Sequence, residues 1–220
     1  TARVFAAGGA QTIPVLIEKM KSGEGHERDT ARDALARIGK PAIEPCIALL
    51  GEKDHNVRNA AAEALGSIGA KAAPALIAVL KAGEQPAARA ALDAIGEIGG
   101  GARGAVDELI VVVKGDDVDM IRAALRALAG MRGAARPAAE AVASRLSHED
   151  QNVQREAARA LKDMGVESEE VLPQMIAALA AVSHRDAKRD LCYALRRYDD
   201  AAAPAVDELT ELLEAENDQV

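Results

Sequence analysis

Basic side chains recur in this 220-residue chain at near-constant intervals. Arg89, Arg122, Arg155 and Arg189 stand 33, 33 and 34 residues apart; Arg126, Arg159 and Tyr193 share a second register, and Lys162 and Arg196 a third. A guanidinium presents a planar fork of donors that matches a carboxylate or phosphate, so this set, brought together, would hold an acidic segment of a partner protein. Earlier in the chain the same registers carry Asp29 and Asn59, then Asp33, Glu63 and Asp93, then Ala36, Gly66 and Gly96. The sign therefore changes from acidic to basic along one face. The alternative is a solvated, Arg-rich face balanced by acids on the same helices, such as Glu156 and Asp163.

Other chemistry finds less support. His26-Glu27 and His148-Glu149 combine metal-ligating types but fall in or near turns. Cys46 and Cys192 are far apart at apolar positions, which reads as two buried, inert thiols in a reducing compartment. The sequence shows no Ser, Cys or His constellation for nucleophilic catalysis, no P-loop and no G-x-G-x-x-G. The expectation is a non-enzyme without cofactor. A net charge of −8 and a pI near 5.1 oppose nucleic acid and anionic membrane as partners. No signal peptide opens the chain, and the longest apolar run, Leu109 to Val113, is too short to span a bilayer, so a soluble, cytoplasmic protein is expected. Residues 199–220 hold eight acids and no Lys or Arg. This segment is expected either to be a solvated helix or to meet the basic strip of another copy, giving a monomer or weak head-to-tail association.

The elements that position these residues come from one repeated stretch. VRNAAAEALGSIG, Val57 to Gly69, is copied with substitutions from Glu27, Ala87, Met120, Val153 and Ala187. Val57, Ala61, Ala64, Leu65 and Ile68 follow i, i+4, i+7, i+8, i+11 and predict an amphipathic helix B. Upstream, Ile43, Ile47 and Leu50, recurring as Ile13, Ile17, Met20 and as Ala73, Ile77, Leu80, predict a helix A. The apolar half of the chain is nearly all Ala, Leu, Val and Ile, with one Phe and no Trp, which favours close-packed helices over sheets. Glycines at 39, 69, 99 and 165 close helix B; prolines at 14, 74 and 173 open helix A; and Glu24, Asp54, Glu84, Asp117 and Asp150 stand where they cap helix B, with His184 breaking the series. The reading is one all-α array of six two-helix repeats, 10–39, 40–69, 70–102, 103–135, 136–168 and 169–202. Residues 1–9 read as the end of a preceding helix B and 203–220 as an unpaired helix A, as in a window of a longer array.

Asp54-His-Asn-Val57-Arg58, followed by Ala61, Ala64, Leu65, Gly66, Ile68 and Gly69, resembles the HEAT repeat, in its short bacterial, phycobilisome-lyase-type form. The resemblance covers essentially the whole chain. It implies a right-handed α-solenoid with helix A on the convex side and helix B on the concave side, and Asp–Arg bonds between neighbouring units. Only Asp54 with Arg58 and Glu24 with Arg28 keep both partners; Ala88, Ile121, Gln154 and Lys188 replace the arginine later. Di-iron hydroxylases of this family carry His-Glu pairs just after the V-R, where this chain has none. Its DNA glycosylases need a basic groove with aromatic side chains, unlike this acidic chain without Trp. The resemblance thus implies a protein–protein scaffold whose concave face carries Arg89, Arg122, Arg126, Arg155, Arg159, Lys162, Arg189, Tyr193 and Arg196. The alternative it leaves open is bilin-lyase-like chromophore handling, or the regulatory arm of a larger enzyme.

Overall fold

The computed structural model describes residues 9–198 apart from 168 and 183. Segment 1–8 and the helix expected over 203–220 lie outside the described residues. Twelve α-helices follow one another, and no strand occurs among the described residues. They are α1 (Ile13–Ser22), α2 (His26–Ile38), α3 (Ile43–Leu49), α4 (His55–Ile68), α5 (Ala73–Ala82), α6 (Ala87–Ile98), α7 (Val106–Lys114), α8 (Val118–Met131), α9 (Ala139–Ala143), α10 (Gln151–Met164), α11 (Leu172–Ala181) and α12 (Arg185–Leu195). Contacts divide the chain into two compact units, Thr1–Glu108 and Leu109–Val220.

In the first unit α2, α4 and α6, the helix-B elements, pack side by side, and α1, α3 and α5 cover one flank. In the second, α8, α10 and α12 form the corresponding stack. The repeat pattern explains why these helices meet. Leu35, Leu65, Ile95, Leu128 and Leu161 are each fully buried at one register position, flanked by buried alanines that let the backbones approach closely. Each such Leu or Ile contributes roughly 1.5–3 kcal/mol of burial.

Helix A departs from its expected register by one residue. Ile17, Ile47, Ile77, Ile110 and Ile176 are only half-buried, whereas the residue before each of them, Leu16, Cys46, Leu76, Leu109 and Met175, has no exposure at all. The true stripe is i, i+3, i+7; both spacings lie on one side of a helix, and only the packing partner selects between them. In the fifth repeat helix A shrinks to the five residues of α9, set between 3-10 turns at Arg132–Ala138 and Ser144–Ser147, the first of which holds Pro137.

The turns follow capping chemistry. Asp54 accepts from the Asn56 N–H at 2.8 Å, Asp117 from Met120 at 3.0 Å, and Asp150 from Asn152 at 2.7 Å and Val153 at 3.2 Å. Those bonds hold the Asp54 and Asp150 carboxyls below the ordinary aspartate range. Glu24 and Glu84 do not cap: Gly25 and Pro86 stand at the N-cap positions of α2 and α6. His184 continues the series it was expected to break, its Nδ1 accepting from the Asp186 N–H at 3.2 Å. His148 accepts in the same way from Asp150 at 3.0 Å, so these two histidines serve the backbone.

Gly39, Gly69 and Gly99 close their helices at φ 77°, 80° and 63° with ψ between −129° and −150°, a region that strains any residue with a Cβ, and of the four expected closing glycines only Gly165 takes the left-handed α form. After α8 the equivalent position is Arg132, at φ 53° and ψ −135°.

Candidate protein-interaction face

On each helix-B element the side facing away from the core is set by the alanine and leucine stripe. On α4 it presents the exposed Asn59 and the half-buried Glu63 and Gly66, as the periodicity predicts. The same side of α8 carries Arg122 and Arg126, that of α10 carries Arg155, Arg159 and Lys162, and that of α12 carries Arg189 and Tyr193, with Arg196 at its C-cap. These eight residues belong to the second unit, whereas Arg89 sits on α6 in the first.

Carboxylates are threaded between the cations. Arg122 Nη1 lies 3.6 Å from Asp119 Oδ1, and its Nε is buried without a hydrogen-bond partner. Arg155 Nη2 lies 3.5 Å from Glu156 Oε1, and Arg159 Nε 3.6 Å from Asp163 Oδ2. Lys162 Nζ bonds Asp190 Oδ1 across the α10–α12 contact at 2.7 Å and stands 3.8 Å from Asp163. Arg189 Nη1 reaches Asp186 at 3.0 Å, with its Nε 3.9 Å from Asp190. An alternating chain of charges therefore runs Arg159, Asp163, Lys162, Asp190, Arg189, Asp186. Arg126 is half-buried and Arg196 exposed.

The alternation is layered. The Asp190 side chain is 7% exposed beneath an Arg189 that is 60% exposed, and Glu156 is 8% exposed beside an Arg155 at 34%. Glu156 and Asp190 thus lie inside, with the guanidinium groups of Arg155 and Arg189 outside them, on α10 and α12. On α8 the order reverses, since Asp119 is far more exposed than Arg122. Sequence spacing makes Asp119–Arg122 and Asp186–Arg189 legible as i, i+3 pairs. The Lys162–Asp190 bond joins two helices and has no signal in the sequence.

The first unit presents the opposite sign. Arg32 donates to Asp29 at 3.2 Å and to Asp33 at 3.0 Å, and crosses from α2 to Glu63 on α4. Arg89 Nε stands 3.8 Å from Asp93. Desolvation raises the Glu97 carboxyl above the ordinary glutamate value, and the neighbouring charges of Glu63 and Asp93 add to it. Glu97 lies over Gly66, where a Cβ would come within 2.7 Å of the Glu97 Cβ.

Of the bonds between repeats that the resemblance implies, Arg28 Nη2 stands 3.7 Å from Asp54 Oδ2 in the next repeat. Arg58 instead donates to the carbonyls of Glu52 and Lys53, at 2.7 and 2.8 Å. Gln154 takes over that role from the same register, donating to the His148 carbonyl at 2.7 Å. Cys46 is fully buried and its thiol is pushed up to about 12, while Cys192 is only half-buried, contrary to the expectation of two buried thiols. Among the described residues no helix is long and apolar enough to cross a membrane.

Comparison with known proteins agrees with this geometry. A family model described as HEAT repeats matches residues 13–96 and 106–196. Among the curated proteins none matches. Among solved structures, an engineered protein is 21% identical with a TM-score of 0.55, over 86% of this chain and 97% of its own. A designed armadillo repeat protein in complex with the peptide (KR)4 is 17% identical, TM-score 0.54, over 85% and 99% of the two chains. A structure described as computationally designed armadillo repeat proteins for modular peptide recognition is 18% identical, TM-score 0.53, over 85% and 100%. At such identities the likeness is one of fold, the all-α helical-repeat solenoid.

Proposed function

Given that the chain belongs to the HEAT-repeat family, we propose that it is a protein-binding scaffold without turnover of its own, and that the face of α8, α10 and α12 receives an acidic segment of a partner protein. The layering on α10 and α12 carries this reading. Asp190 and Glu156 are buried and hold Lys162, Arg189 and Arg155 in place, while Arg159 and Arg189, each more exposed than the carboxylates it pairs with, turn basic groups outward. Donors already oriented by a buried carboxylate lose less freedom when an incoming carboxylate arrives. The family and its designed neighbours support a protein partner; the acidic chemistry rests on the side chains alone.

A peptide-display selection against the 220-residue chain tests the proposal. Selected peptides should be enriched in Asp and Glu, and should lose binding to Arg159→Glu while the melting temperature of that variant stays unchanged. Selection without acidic enrichment, or undiminished binding to Arg159→Glu, would overturn it.

A second reading concerns the first unit. A structural neighbour was solved with (KR)4, and here desolvation, with the charges of Glu63 and Asp93 added to it, raises the Glu97 carboxyl in a unit whose helices also carry Asp29 and Asp33. We propose that this unit takes basic residues. Fluorescence anisotropy with labelled (KR)4 should show binding that Glu63→Lys abolishes, and a flat titration would dismiss it.

A further inference from the structure

Three large apolar side chains are strongly exposed among the described residues, and two of them, Val15 and Val111, belong to helix-A elements. The third is Tyr193, 52% exposed on the outward side of α12. It follows Arg189 by four residues and precedes Arg196 by three, so all three share one side of the helix. Arg196 still has helical backbone, φ −56° and ψ −13°, which carries the register through the C-cap. On α10, packed alongside, the position equivalent to Tyr193 is Arg159. Asp186 and Asp190 hold the Arg189 guanidinium, and Asp163 holds that of Arg159. An exposed aromatic ring thus shares one side of α12 with Arg189, held by its own carboxylates, and with Arg196, the composition of an interaction hot spot.

Resting on the acidic-partner reading above, we infer that α12 is the energetic centre of the face, and that the partner segment carries an aromatic side chain between two carboxylates. The aromatic covers the Tyr193 ring while the carboxylates meet Arg189 and Arg196. Spacing follows from helix geometry. Seven residues at 1.5 Å rise place the two arginines about 10 Å apart, and an extended strand advances about 3.3 Å per residue. Side chains that face one way along such a strand recur at every second residue, so the segment reads acid, any residue, aromatic, any residue, acid, with its carboxylates about 13 Å apart and within reach of the long arginine side chains. Offset stacking of the two rings, shielded from water by the guanidinium groups, gives such a segment preference over an equally charged one without the ring. A segment that is merely acidic uses the arginines alone, and gains nothing from Tyr193.

Two fluorescein-labelled decapeptides test this by anisotropy, one with a central Glu-Ser-Phe-Ser-Glu and the other with Glu-Ser-Ser-Ser-Glu. The Phe peptide should bind the parent chain about tenfold more tightly. Tyr193→Ala should erase that tenfold difference and leave the Ser peptide unaffected, Tyr193→Phe should retain the difference, and Arg196→Gln should weaken both peptides. Circular dichroism of each variant confirms that the helices persist. Equal binding of the two peptides to the parent chain would overturn the inference and leave the acidic-partner reading standing. Failure of both peptides to bind at low salt would overturn the two together.

Discussion

Replacing Arg132 by glycine should stabilise the protein. Arg132 ends α8 at φ 53° and ψ −135°, where α2, α4 and α6 end in Gly39 at 77° and −129°, Gly69 at 80° and −150°, and Gly99 at 63° and −135°. It is the one non-glycine residue with positive φ among the described residues. A Cβ in that region is crowded against its own backbone, at a cost of about 1–3 kcal/mol. Glycine removes that cost but frees the unfolded chain by about 0.5–1 kcal/mol. The Arg132 side chain is exposed, so its removal uncovers little. The net gain is on the order of 1 kcal/mol, or about 2–4 °C in melting temperature for a chain of this size. Urea titration of parent, Arg132→Gly and Arg132→Ala separates backbone from side chain: glycine should raise the midpoint without changing the slope, and alanine, which keeps the Cβ, should not. A lowered midpoint for Arg132→Gly, or an equal gain from alanine, would refute the argument.

The Lys162–Asp190 bond spans two helices and ends on a buried carboxylate. Lys162→Met should therefore cost about 2 kcal/mol, tempered by the remaining Arg189, while the double change Lys162→Met with Asp190→Leu should recover most of it in a double-mutant cycle of urea midpoints. Because the Glu97 carboxyl is raised above its ordinary 4.5, the folded chain keeps that proton to higher pH than the unfolded one, and stability falls as pH rises from about that value. Glu97→Gln should thus raise the thermal midpoint at pH 7 and lose its advantage at pH 3.5; an advantage independent of pH would exclude the charge explanation. In native protein iodoacetamide should modify Cys192 slowly and leave Cys46 untouched until denaturant is added, read by peptide mass, since Cys46 is fully buried with its thiol pushed to about 12.

The sequence by itself determined the repeating all-α pattern and the buried stripe of helix B. A side chain placed every 30 to 34 residues has equivalent neighbours in each copy, so Leu35, Leu65 and Ile95 in the first unit, and Leu128 and Leu161 in the second, announce buried positions without reference to coordinates. Local hydrogen bonds were legible on the same grounds at Asp54, Asp117 and Asp150, because a cap needs only residues two or three positions away. Only the tertiary structure decided whatever depends on a second helix. It chose Leu16 over Ile17 and Leu76 over Ile77 as the buried member of two candidates on one side of helix A. It bound Lys162 to an aspartate 28 residues away and sank that carboxylate beneath Arg189. Linear spacing counts such acids and bases as equals, and burial separates them, because what a partner meets depends on which charge the packing leaves in water.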